Sequence, residues 1–175
     1  MQEFWVFGYG SLMWRPGFAF VERHPALLRG RHRSLCVYSH VHRGSPERPG
    51  LVLGLDRGGS CRGVAFLVPE ADREETFDYL RAREQVTMVY REEMRTITLL
   101  GADRRAVGAL CYVVDRGHSQ YAGRLDLARR AELVRHGIGQ SGDNPDYLGN
   151  TVRHLREIGI RDHELESLYA MVRAG

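Results

Sequence analysis

The sequence predicts an α+β domain built on a mostly antiparallel, curved or closed, barrel-like sheet with flanking helices and a helical C-terminal third. Three observations carry this. Apolar and alternating runs dominate the chain as far as "AVGALCYVV" (106–114), interrupted by one helical stretch. Neighbouring runs are separated by Gly-rich or charged connections of the kind that reverse a chain. From about residue 123 the periodicity turns helical and stays so. A doubly wound sheet would instead alternate strand and helix throughout.

Each element follows in order. Phe4, Trp5, Val6 and Phe7 make a strand over 3–7 that runs into the turn "GYGS". A second strand lies within 26–38, "ALLRGRHRSLCVY", and the segment 39–50, "SHVHRGSPERPG", is a loop by its Gly, Pro and charge content. Two further strands, 51–56 and 61–68, are expected to form a hairpin through "RGGS". A helix over 70–84 begins at Pro69-Glu70, with acidic first turns that suit the helix dipole. "EEMRTITLL", "GADRR" and "AVGALCYVV" make a second hairpin with period-two alternation. Helices are expected near 125–136, 143–159 and 162–173. The chain has no internal repeat, low-complexity tract or long linker, so residues 1–175 are expected to form a single domain.

Composition narrows the function classes. With 43% apolar and 27% charged residues the chain is that of an ordinary globular protein. No run of 18 apolar residues predicts a membrane span, and the N-terminus lacks the pattern of a secretory signal. Cys36, Cys61 and Cys111 each sit in a mostly apolar run, which fits reduced core thiols in the cytoplasm. All 25 basic residues are arginine, giving a net charge of +3 against 22 acidic residues. The basic clusters "RGRHR" (29–33) and "DRR" (103–105) are short and carry no aromatic residues, so no nucleic-acid partner is expected.

Two places carry candidate chemistry. The turn at Gly8, Tyr9, Gly10 and Ser11 fails the dinucleotide fingerprint, the P-loop and the nucleophile elbow. A structural bulge and a backbone cradle for a carboxylate or carbonyl oxygen both remain open there. Glu84 falls on the apolar stripe of its helix with Phe77 and Leu80, while Arg81 and Arg83 project from other faces. Burial would raise its pKa toward that of a working base. The pattern alone fits an ordinary ion pair at a frayed helix end more simply. His40 and His42 share a strand-like face but have no third ligand at a convincing spacing, so no metal is expected.

Taken together, these stretches resemble the ChaC-like γ-glutamylcyclotransferases. The opening "VFGYGSLMWRPGF" is similar to the family's strand leading into Tyr-Gly-Ser-Leu, and "HRGSPERPG" (42–50) to its His-Arg-Gly loop. "CRGVAFLV" resembles its Gly-Val-Ala strand, Arg83-Glu84 its helix-ending Arg-Glu, and "SGDNPDYL" (141–148) its late Ser-Gly-x-Asn-x-x-Tyr-Leu. The resemblance implies that Glu84 is catalytic and that Phe7, Gly8, Tyr9, Gly10, Ser11, Leu12, Arg43 and Tyr147 bind substrate. It implies cyclisation of a γ-glutamyl group, of glutathione above all, to 5-oxoproline with release of Cys-Gly, and no cofactor. Other γ-glutamyl amines, or a non-catalytic anion-binding module of the same fold, are the alternatives. Arg43 is the candidate reader of the Cys-Gly carboxylate; oligomeric state is not legible. Two departures bear on substrate: Met88-Val89 stand where the family commonly has Gly-Gly, and "HRSLCVY" (32–38) replaces an aromatic Arg-Arg-Phe-Trp segment.

Overall fold

The structure, a computed structural model, describes residues 3–175. β1 (Phe4–Gly8) is buried along its whole length because both of its edges and both of its faces are covered. It pairs antiparallel with β3 (Gly50–Val68), from Phe4 opposite Val68 to Gly8 opposite Val64. On its other edge it runs parallel to β5 (Ala106–Val114), with Trp5 opposite Ala109 and Val6 opposite Leu110. With β2 (Glu22–Ser39) and β4 (Tyr90–Leu99) the order β1-β3-β2-β4-β5 closes into a barrel, as expected, and closure gives each of these five strands a partner on both sides. The β4–β5 hairpin keeps its register from Tyr90 opposite Val114 to Thr98 opposite Ala106.

The hairpin expected at "RGGS" does not form. β3 is one strand of 19 residues that passes straight through it. Gly58 and Gly59 adopt φ of 101° and 64°, a pair of left-handed residues that coils the strand without reversing it. The carbonyl of Gly58 is held by His32 Nδ1 at 3.1 Å on neighbouring β2, so the partner strand already occupies the edge a hairpin would need. The reversal occurs instead at residues 40–49.

The chain condenses into two compact units, one from the chain up to Arg33 with Leu55–Asp115, the other from Ser34–Gly54 with Arg116–Gly175. In the first, α1 (Arg73–Glu84) lies on the barrel wall. Its Phe77 ring stacks on Phe4 at 4.7 Å, and Leu80 is buried with Val6, Leu12, Val68, Leu110 and Tyr112. The second unit is built on α2 (Leu127–His136), α3 (Asn144–Glu157) and α4 (His163–Ala174). Each begins at an aspartate whose carboxylate accepts a backbone N–H three residues on: Asp126 from Arg129, Asp143 from Asp146, Asp162 from Leu165. A two-residue ladder that the sequence did not suggest, β6 (Ile138–Gly139) with β7 (Gly142–Asp143), delivers the chain into α3.

Asn144, at the start of α3, is fully buried and behaves as a strand partner. Its Oδ1 accepts from Leu51 N and its Nδ2 donates to Leu51 O, both at 2.8 Å. Asn144→Ala leaves both backbone groups buried and unpaired. It is expected to cost about 2 kcal/mol of stability, read as a lowered urea midpoint at unchanged slope.

Candidate active site

The turn after β1 is packed against its own chain. A Cβ on Gly8 would lie 3.2 Å from Leu12 Cβ and 3.3 Å from Met13 N, and a Cβ on Gly63 of β3 would collide with the Gly8 carbonyl oxygen and the Phe7 ring. What these glycines admit is therefore the protein's own backbone and neighbouring side chains. Phe7, Tyr9 and Leu12 are buried, and Ser11 is exposed. Ser11–Met13 form one 3-10 turn, with Met13 N bonded to Gly10 O at 2.9 Å. Arg33, itself buried, donates to the carbonyls of Tyr9 and Arg62 at 2.6 Å each and fixes the turn to the barrel wall. No side chain caps the turn, and among the described residues the N–H groups of Gly10, Ser11 and Leu12 meet no acceptor. Three successive free donors at one bend are what a substrate oxygen requires.

Glu84 ends α1 with only 17% of its side chain exposed. Burial pushes its carboxyl above the usual range, and the Arg83 guanidinium, 3.4 Å away, opposes this in part. Arg83 reaches further than its place on the helix suggests. It donates to Ser11 Oγ at 2.7 Å, to the Arg15 carbonyl at 2.8 Å and to the Tyr79 hydroxyl at 3.0 Å. One arginine therefore binds the end of α1 to the turn and touches the carboxylate. Arg81 points away, in a two-pronged pair with Glu92. Tyr112 of β5, buried, donates to Glu92 Oε1 at 3.4 Å. Its phenol pKa is pushed up by burial and by the nearby Glu92 and Glu84 carboxylates, so it stays protonated beside the acid. Within this unit a shielded carboxylate, a neutral phenol and a bend of free N–H donors occur together, a set suited to moving a proton while holding an oxygen.

The other two expected site residues, Arg43 and Tyr147, belong to the second unit. Arg43 donates to the Asp143 carbonyl at 3.1 Å and its guanidinium lies over the Tyr147 ring at 5.4 Å. The Tyr147 hydroxyl in turn accepts from Leu53 N at 3.1 Å. Both thus do structural work around the start of α3. His42 Nδ1 shares a hydrogen bond with Ser141 Oγ at 2.9 Å, and among the described residues no three His, Cys, Asp or Glu side chains gather as a metal site.

Comparison with known proteins places the chain in a family. Residues 4–175 match the family described as ChaC-like protein. The chain belongs to the ChaC-like family. The glutathione-specific gamma-glutamylcyclotransferase of Escherichia coli is 34% identical over 97% of this chain and 72% of its own length. Gamma-glutamylcyclotransferase 2-3 of Arabidopsis thaliana is 33% identical over 97% of this chain and 88% of its own. In fold, the chain is similar to the crystal structure of a glutathione-specific γ-glutamyl cyclotransferase from yeast, with a TM-score of 0.87 at 22% identity, covering 99% of this chain and 97% of that one.

For a ChaC-like protein, the Met88-Val89 departure now has a backbone explanation. Met88 holds φ at 61°, the left-handed region in which a side chain costs about 1–2 kcal/mol. Glycine, the residue the resemblance leads one to expect there, would adopt it freely. Met88→Gly is expected to raise stability by up to about 1 kcal/mol, once the greater unfolded-state entropy of glycine is subtracted. A raised urea midpoint checks it; an unchanged or lowered one refutes it. Sequence reasoning missed the roles of Arg33, Tyr112 and Gly63 and gave Arg83 only a place on another helix face. Arg83 and Gly63 lie within stretches that resemble family motifs, and Arg33 within the departing stretch 32–38; Tyr112 had no such signal.

Proposed function

We propose that this chain is a γ-glutamylcyclotransferase acting on glutathione. The observation that carries the reading is Glu84, shielded and shifted upward, joined through Arg83 to a turn with three free N–H groups. The similarity to glutathione-specific enzymes over most of the chain supports the substrate.

The reaction needs little beyond position and one proton carrier. The free α-amine of the γ-glutamyl group attacks its own γ-carbonyl carbon and closes a five-membered lactam. Glu84 takes a proton from the attacking nitrogen. It then gives that proton to the nitrogen of cysteine as the old amide bond breaks. The N–H groups of Gly10, Ser11 and Leu12 receive substrate oxygen, and the packing of Phe7, Tyr9 and Leu12 keeps that bend in place. The products are 5-oxoproline and Cys-Gly. A base of ordinary carboxylate pKa would be a poor acceptor from an amine, and burial of Glu84 narrows that gap.

The test is product analysis after incubation with glutathione, with γ-glutamyl-alanine and γ-glutamyl-lysine in parallel. Formation of 5-oxoproline from glutathione at a far higher rate than from the others supports the reading. Preference for either of the others transfers the function to that substrate class, and no 5-oxoproline from any of them refutes the reading. The same reading places the protein in the cytoplasm, where its three free, buried cysteines stay reduced. No helix among the described residues is long and apolar enough to cross a membrane.

A further inference from the structure

The second unit contains a cavity of about 470 Å³ whose lining includes none of the candidate site residues. That volume suits a small molecule. One wall is flat: the rings of Tyr38 and His40, both from the end of β2, stack at 6.1 Å and 27°. Pro49 and Leu133 add apolar surface. His40, one of the lining residues, leaves its buried Nδ1 without a hydrogen-bond partner among the described residues, an expensive state.

The charges around the cavity are unevenly used. Arg129 and Glu132 neutralise each other at 2.8 Å. Glu47 and Arg48, neighbours on the 40–49 loop, have side chains with no ion-pair or hydrogen-bond partner among the described residues. Their loop is nonetheless pinned. Ser45 Oγ accepts from Arg48 N at 3.1 Å, and Ser45 N donates to Arg48 O at 3.0 Å. The cavity therefore offers one unspent cation and one unspent anion, side by side on a fixed backbone. A simple anion would face Glu47 and a simple cation would face Arg48; a molecule bearing both charges satisfies both.

We propose that this cavity is a second small-molecule site, for a zwitterion of the α-amino-acid or dipeptide class. Arg48 takes the carboxylate, Glu47 the ammonium, and the Tyr38–His40 stack and Leu133 contact the body of the ligand.

Alanylglycine, a redox-inert dipeptide, is the probe, and amide NMR shifts are the readout. Saturable shifts are expected at His40, Arg48 and Leu133. N-acetyl-alanylglycine lacks the ammonium and alanylglycinamide lacks the carboxylate, and each should bind about tenfold more weakly or worse. Arg48→Ala should erase the preference for carboxylate over carboxamide, and Glu47→Ala the preference for free over acetylated amine. Both side chains are exposed, and the two blocked dipeptides test the same charges in the unaltered protein. The proposal is overturned by the absence of saturable shifts, by shifts confined to Tyr9–Leu12, or by equal affinity for all three ligands. Glu84→Gln, tested without any turnover, should bind the dipeptide as the unaltered protein does. The site and the cyclotransfer reading therefore fail separately.

Discussion

Glu84→Gln is expected to lose nearly all cyclotransfer, by about a hundred- to ten-thousand-fold, while keeping its fold. The amide preserves shape and cannot accept a proton. The same substitution carries a second expectation, opposite in sign. Because burial raises the folded-state pKa of Glu84, the unfolded chain releases this proton at lower pH than the folded one. Stability from this group is therefore undiminished below the ordinary carboxylate range. It falls as pH rises from the unfolded value through the raised folded value, and the penalty is complete above that. Glutamine never ionises, so Glu84→Gln should be more stable than the unaltered protein at neutral pH, and the two should converge near pH 4 and below. Turnover of the unaltered enzyme should fall as pH drops through the raised folded-state value. Urea titrations at several pH values, with a pH–rate profile, check all three. Near-normal turnover in Glu84→Gln would sink the mechanism, and equal stability at all pH values would sink the account of the shifted carboxyl.

Gly63→Ala should be nearly as damaging from a position that touches no substrate. Its new methyl group meets the Gly8 carbonyl and the Phe7 ring, and a backbone carbonyl within a paired strand cannot swing aside. Overpacking of this kind costs typically about 1–3 kcal/mol, and this site belongs at the upper end. Relief requires moving Gly8, and the bend at Gly10–Leu12 moves with it. The folded fraction should consequently lose kcat/KM by about tenfold or more. Gly108→Ala is the control: no atom lies within 4 Å of its added Cβ, so it should keep both stability and rate. Equal behaviour of the two variants in melting temperature and kcat/KM would show that the close approach to Gly8 is unimportant.

The contrast between Glu84 and Gly63 shows what the sequence could disclose. Glu84 was legible because an acid at i+7 from Phe77 breaks an apolar stripe, and a helix projects that stripe onto one line. Helix positions were legible for the same reason; all four were anticipated to within a few residues. Gly63 was not, because its reason lies in a strand far away in sequence. Arg83 was misread for a related cause: face assignment describes where a side chain leaves the helix, whereas a guanidinium at the end of a long stem acts well beyond it. The pair Gly58-Gly59 had the composition of a reversal. Whether two left-handed residues reverse a strand or coil it depends on the neighbour already paired alongside, here β2. The ladder at Ile138–Asp143 is too short to show any alternation.

Closure of the barrel also sets the order in which this protein can be made. Trp5 rests between Leu67 on one side and Ala109 on the other. During synthesis the first strand therefore leaves the ribosome long before either neighbour exists, and at about 5–20 residues per second the wait lasts several seconds. Throughout that time Phe4-Trp5-Val6-Phe7, wholly buried in the finished protein, has no shelter. It is an uncharged, strand-forming segment of the kind that seeds intermolecular pairing. The same distant pairing that leaves the mature barrel without an exposed edge makes nascent β1 a natural client for chaperones, and conditions that slow translation before β5 should raise aggregation without altering the stability of the finished molecule.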